Sequence, residues 1–259
     1  MKALVFDCDG VLAETERDGH RVAFNQMFDE QGLGLSWSTE DYAERLTVAG
    51  GRERLMRLCT DDFVRSHGLP TDPAELEGVV RGWHRRKTEI FVGMVRDGLL
   101  EPRPGVRRLA EDAHDAGWVL GVASTSAQES VCAIADRALG DLMPHHIVVV
   151  AGDMVAHKKP APDVYVRALA DLGSRPEDSA AIEDSAIGVA SARAAGMSVV
   201  ATQSHYTREE DLGGARIVVD SLGEPGGPQL RVVLNTTRVP VGDYVGVAHL
   251  EACVGAGVS

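Results

Sequence analysis

Ala3-Leu4-Val5-Phe6-Asp7-Cys8-Asp9-Gly10-Val11 opens the chain as an apolar run that ends in two aspartates and a glycine. A short continuous apolar run of this kind reads as a strand buried on both faces of a parallel sheet. Carboxylates are rarely buried unless they are paired or bound to metal. Asp7 and Asp9, at i and i+2 after such a strand, are therefore costly to keep for stability alone. In a doubly wound sheet the ligand crevice lies outside the carboxyl ends of the strands, which is where these acids fall. Taken singly, the motif also fits a solvated Asp-x-Asp turn.

Further apolar runs follow at residues 119–123, 147–151, 180–182, 198–201 and 217–219. Between them lie helical stretches at 105–116, 127–139, 163–172 and 186–195, stopped by Gly117, Gly140, Gly173 and Gly196. Strand alternating with glycine-terminated helix predicts an α/β core, a Rossmann-like doubly wound parallel sheet. From residue 7 to 118 no strand is evident. Helical patterns cover 16–31, 51–64 and 73–95, and Ser38-Thr39-Glu40-Asp41 offers a capping box before 42–46. The expected organisation is a core of residues 1–15 and 99–224, an inserted all-α helical cap domain at 16–98, and a C-terminal extension at 225–259. That extension carries a strand-like run at 230–234 and a weak helix near 249–254, with no role assigned.

The 259 residues are 44% hydrophobic and 25% charged, proportions of an ordinary globular enzyme long enough to bury a core without staples. Twenty-six basic against 39 acidic side chains leave −13, which argues against nucleic acid and anionic membrane as partners. An anionic ligand would have to be held by local cations. No apolar run approaches a membrane span. Met1-Lys2 runs straight into Ala3 without a cleavable leader, so a cytoplasmic protein is expected. Cys8, Cys59, Cys132 and Cys253 are scattered and read as reduced, individually buried thiols.

Three other strand ends complete the picture. The 180–182 run ends in Glu183-Asp184-Ser185. The 119–123 run ends in Ser124-Thr125-Ser126 at the start of a helix, where backbone N–H groups favour an anion. After the 147–151 run, Lys158-Lys159-Pro160-Ala161-Pro162 presents lysine on a proline-stiffened loop. Acids from two strands, hydroxyls from a third and a lysine make a Mg²⁺-plus-phosphoryl site, hard oxygens for the metal and donors for phosphoryl oxygens.

These four elements, in this order, resemble the motif set of the haloacid dehalogenase superfamily, from residue 1 to about 224. The inserted helices match a cap of the type shared by β-phosphoglucomutases and many sugar phosphatases. Ala13-Glu14-Thr15-Glu16-Arg17-Asp18-Gly19-His20, Gly50-Gly51-Arg52-Glu53-Arg54, His84-x-x-Lys87-Thr88-Glu89 and Arg103-Pro104-Gly105-Val106 look like the CbbY branch, whose members are xylulose-1,5-bisphosphate phosphatases. The resemblance implies Asp7 as nucleophile and Asp9 as general acid, then base, with its backbone carbonyl towards Mg²⁺. It implies Asp184, with Glu183, as the remaining metal ligands, and Ser124, Lys159 and Thr125 on the phosphoryl oxygens.

In the cap, Arg52 and Arg54 follow Gly50-Gly51 at an expected helix start. By resemblance this stretch grips the distal phosphate or hydroxyls, with Glu14, His20, Tyr42, His84 and Lys87 nearby. Arg85 and Arg86 read as a solvated face, and Trp83, Phe91 and Met94 as cap core. Arg52 stands where the branch usually has lysine, and the two differ at a phosphate. The expected activity is a Mg²⁺-dependent phosphatase of a small phosphorylated sugar, in a monomer or homodimer. A β-phosphoglucomutase-like mutase uses the same two aspartates and remains open, as does a non-catalytic metabolite-binding protein on this fold.

Overall fold

The structure is a computed structural model and describes residues 1–48, 50–143 and 145–254. The last five residues of the expected extension, 255–259, lie outside the described residues. The chain divides into two compact units, Met1–Glu14 with Leu100–Ser259, and Thr15–Leu99.

The first unit is built on strand β1 (Ala3–Phe6), buried throughout. β1 lies between β2 (Val119–Ala123) and β4 (Ser179–Glu183), parallel to both, and β3 (Ile147–Val150) pairs with the far side of β2. β5 (Ser198–Thr202), β6 (Ile217–Val219) and β7 (Val232–Asn235) extend the other side, giving the order β3-β2-β1-β4-β5-β6-β7. Register decides what meets at the top of this sheet. Phe6 pairs with Ile182 and with Val122, so Asp7, Glu183 and the Ala123–Ser124 step leave their strands at one level.

Helices cover both faces, as the apolar strands require. In the second unit lie α1 (Arg21–Glu30), α2 (Thr39–Arg45), α3 (Gly51–Leu58), α4 (Asp61–Ser66) and α5 (Pro73–Arg96), α1 being preceded by a π-helical turn at Glu16–His20. In the first unit follow α6 (Val106–Asp115), α7 (Gln128–Leu139), α8 (Asp163–Leu172), α9 (Ala186–Ala194) and α10 (Val247–Val254). α8 and α9 supply Val164, Tyr165, Leu169, Val189 and Ala192 to a core with Ala3, Val5, Ala181, Val199 and Val218. The second unit has its own aromatic core: Phe24, Phe28, Trp37 and Tyr42, with ring centroids 4.7–6.1 Å apart.

Several local expectations change. The 51–64 stretch is two helices, because Thr60 accepts from the Phe63 N–H and so caps α4. α2 starts at Thr39, with Ser38 and Asp41 forming the reciprocal capping box. The strand-like run near 230–234 becomes β7, antiparallel to β6 with a register irregularity at Val218/Val219. Cys8 and Cys253 are buried, but Cys59 and Cys132 are only half-buried, which corrects the expectation of individually buried thiols. Met94 is also half-buried, against its expected place in the core of the inserted helices. Among the described residues no helix is long and apolar enough to cross a membrane.

Residues after 221 are joined to the core by the β6–β7 pairing, by bonds such as Ser198 Oγ to Cys253 O (3.0 Å), and by a cluster of bonds from Arg108. Arg108 Nη2 donates to the carbonyls of Leu222 (3.2 Å), Gly223 (3.0 Å) and Val245 (3.0 Å), and its guanidinium lies 4.8 Å from the Tyr244 ring. Arg108→Met leaves these carbonyls without their charged donor. It should lower the unfolding free energy in urea by about 2 kcal/mol. A loss below about 0.5 kcal/mol would show that the Arg108 bonds contribute little beside the strand pairing and the other links of this segment.

Candidate active site

Asp7 continues β1 by donating its N–H to Ile182 O at 2.9 Å. The chain then turns through Gly10, whose φ is +75°. A Cβ at Gly10 would stand 2.0 Å from Asp184 Oδ2, so only glycine lets the loop approach this carboxylate. At the end of β4, Gly188 plays a similar part, since a Cβ there would lie 2.0 Å from Glu183 Oε2. Ser185 caps α9 by accepting from Gly188 N at 3.2 Å.

Ligand oxygens of Asp7, Glu183 and Asp184 all lie within 4.8 Å of one another, and all three residues are buried. Lys159 Nζ donates to Asp7 Oδ1 and Glu183 Oε1 at 2.7 Å each, and to Ala123 O at 3.0 Å. Tyr165 OH donates to the same Glu183 Oε1 at 2.5 Å. Glu183 Oε2 accepts from the Asp184 N–H at 3.1 Å. Asp9 is half-buried; its Oδ2 accepts from Ser126 Oγ at 2.5 Å. Ser124 is buried, and its Oγ accepts from the Ser126 N–H at 3.1 Å. The Thr125 backbone packs against Gly152, where a Cβ would come within 2.1 Å of its carbonyl.

Three buried acids share one buried ammonium, and the competition shifts their titration. Burial pushes Asp7 up to about 8, with Glu183 and Asp9 adding to the shift and Lys159 opposing it. Burial, then Asp7 and Glu183, likewise hold Asp184 well above the usual carboxylate range. Burial alone would lower Lys159, yet Asp7 and Glu183 outweigh it and keep the ammonium charged. Three buried carboxylates thus face one buried lysine. The donors are all hard oxygens, a set that fits a small divalent cation and would be relieved by it.

Tyr165, which contacts Lys159 and Glu183, and Ser126, which donates to Asp9, join the cluster although the sequence motifs single out neither for these contacts. Tyr165 sits six residues after Lys159, on the first turn of α8, with Lys159 Nζ 4.8 Å from its ring centroid. Only that spacing after the proline-rich loop signals it. Ser126 was visible as the third hydroxyl after β2, but its partner was not.

Glu14 belongs to the first unit, with its carboxylate 3.3 Å from the His205 N–H and 3.9 Å from Arg103 Nε. The other candidates lie in the second unit. Arg54 is buried, donating to Val48 O (2.9 Å) and Tyr42 OH (2.9 Å) and pairing with Glu16 at 3.4 Å. Tyr42 OH donates to Glu16 Oε2 at 2.5 Å. Lys87 Nζ lies 2.7 Å from His20 Nδ1, between the rings of Phe24 and Phe91. Gly50, at φ +96°, caps α3, and the Cβ position of Gly51 is 3.1 Å from His84 Nε2. Arg52 is exposed beside Glu53 at 3.4 Å. Arg86 pairs with Glu30 and Glu89 on a solvated face, as expected.

Residues 1–196 match the family model for a haloacid dehalogenase-like hydrolase. The chain is 41% identical over 228 residues to protein CbbY of Cereibacter sphaeroides, covering 88% of this chain and 95% of that one. It is 42% identical over 223 residues to a CBBY-like protein of Arabidopsis thaliana, covering 86% and 70%. A crystal structure of a CbbY variant from Rhodobacter sphaeroides, in complex with xylulose-1,5-bisphosphate, superposes with a TM-score of 0.74 at 40% identity, covering 85% of this chain and 94% of that one.

Adding Mg²⁺ to metal-free protein should raise the melting temperature, more at pH 8 than at pH 5, because protons compete for the same carboxylates. Asp184→Asn should melt no lower than wild type without metal and lose most of the Mg²⁺-induced rise. A full rise in Asp184→Asn, by calorimetry, would remove Asp184 from the metal set.

Proposed function

The chain belongs to the haloacid dehalogenase-like hydrolases and is a sugar phosphatase, and on that premise we propose that it is a Mg²⁺-dependent phosphatase of a small sugar bisphosphate such as xylulose-1,5-bisphosphate. The buried carboxylate cluster around Lys159 supports the chemistry, and the sugar bisphosphate held by the CbbY relative supports the substrate.

Asp7 attacks phosphorus through its free carboxylate oxygen, forming an aspartyl-phosphate as the sugar oxygen departs. Asp9 gives that alkoxide its proton, then takes one from the water that attacks the aspartyl-phosphate. Inorganic phosphate leaves and Asp7 returns to its carboxylate. Ser124 and Lys159, with Thr125, hold the phosphoryl oxygens, and Glu183 and Tyr165 keep the Lys159 ammonium in place. Asp7, Asp184, Glu183 and the Asp9 carbonyl would hold Mg²⁺, which when bound neutralises charge so that one anion can approach another. From the helical unit, Arg52 grips the second phosphate, assisted by Arg54, His84 and Lys87 with His20, Tyr42, Gly50 and Gly51; Glu14 reads a sugar hydroxyl. These assignments follow the family resemblance of the motifs that carry them.

The test is phosphate release from a panel containing xylulose-1,5-bisphosphate, its monophosphates and β-glucose-1-phosphate. Wild type should release phosphate stoichiometrically, without isomerised product; isomerisation stimulated by a sugar bisphosphate would mean a mutase. Asp7→Asn should abolish turnover on every substrate, by more than about 10⁴-fold. Arg52→Ala should raise KM for the bisphosphate about tenfold and leave the monophosphates within about twofold. Equal losses on both classes would contradict the role given to Arg52.

A further inference from the structure

Arg103 reaches the nucleophile loop from the strand-end side. Its Nη1 donates to the Gly10 carbonyl. Its Nη2 donates to Thr202 Oγ1 (3.1 Å), Gln203 O (2.8 Å) and Asp220 O (2.9 Å). The backbone closes the same link, with Arg103 N donating to Leu12 O at 2.9 Å and Pro102 bridging Ala13. The side chain is 9% exposed. One guanidinium therefore ties the 7–13 loop to the ends of β5 and β6.

What this clamp governs is the residue before Gly10. Asp9 accepts from Ser126 Oγ at its carboxylate (2.5 Å), bridges Ala13 through its backbone, and is followed directly by Gly10, whose carbonyl Arg103 holds. Gly10 N in turn donates to Ala13 O at 2.9 Å, closing the loop on itself. Release of the Gly10 carbonyl would let the loop tilt and move the Asp9 carboxylate, while Asp7 stays fixed by its sheet bond to Ile182 and by Lys159. We infer that Arg103 is a positioning residue that aims Asp9 at the leaving oxygen, an inference resting on the general-acid role proposed above. Lysine cannot reproduce the fork, because it offers a point charge where Arg103 serves several acceptors in a fixed plane.

The distinguishing readout is leaving-group dependence. A sugar alkoxide needs a proton to depart, whereas p-nitrophenolate does not. At saturating substrate, Arg103→Met should slow single-turnover cleavage of the sugar phosphate by about 30-fold or more and first-turnover nitrophenolate release from p-nitrophenyl phosphate by less than about threefold. Because Arg103 Nε also lies 3.9 Å from Glu14, a raised KM for the sugar phosphate with an unchanged saturating rate would trace the loss to Glu14 and overturn the role given to Arg103. Arg103→Lys should fall between the two proteins with the same selectivity. Thr202→Val, which deletes one acceptor of Arg103 and keeps the branched shape of the side chain, should show it at smaller size if Arg103→Met does not fold. Equal slowing on both substrates, or none on the sugar phosphate, would overturn the role of Arg103. A wild type that releases no phosphate with Mg²⁺ would instead overturn the phosphatase reading, and this inference with it.

Discussion

One ammonium, Lys159, stands 2.7 Å from each of two buried carboxylates, with a third in the same cluster. Such a group is expensive to desolvate, and burial with mutual repulsion pushes Asp7 and Asp184 towards their protonated forms. The rest of the core unit serves to hold it in that condition. Parallel pairing of β1 with β4 in register brings Asp7 beside Glu183, and pairing with β2 brings the Ala123 carbonyl under the lysine. No surface ion pair would require that alignment, since exposed pairs contribute little to stability.

Approach distance is the second constraint. Gly10 and Gly188 stand where side chains would run into Asp184 and Glu183, so the loop after β1 and the first turn of α9 close on the carboxylates. Tyr165 and Ser126 then fix which oxygen faces which donor. In the proposed mechanism two aspartates spaced i and i+2 divide the labour, and the structure restrains them differently. Asp7 is held by sheet and lysine, whereas the contacts of Asp9 include the Ser126 hydroxyl, a backbone bridge to Ala13 and the loop that Arg103 ties at Gly10.

The sheet was legible because buried parallel strands leave continuous apolar runs, and the acids at their ends break the pattern abruptly. β1, β2 and β6 fall where those runs do. β7 was less legible, as an exposed edge strand with Val232 and Val233 towards solvent carries little period. The split between α3 and α4 turned on one hydroxyl, Thr60, inside an otherwise helical pattern. Motif acids and Lys159 could be read as converging on one sheet edge, but contacts such as Lys159 with Tyr165 or Arg103 with Gly10 depend on side-chain reach. The packing of Arg54 with Tyr42 and Glu16 was likewise invisible, because its partners are 12 and 38 residues away.

The most direct measurement is acid quench of the Mg²⁺-loaded protein within its first turnover of a sugar bisphosphate, followed by peptide mass spectrometry. A phosphoryl group on Asp7, absent without Mg²⁺, is the expected result. A full first turnover of phosphate with no phosphoprotein at any time, or with the group on another residue, would contradict the account.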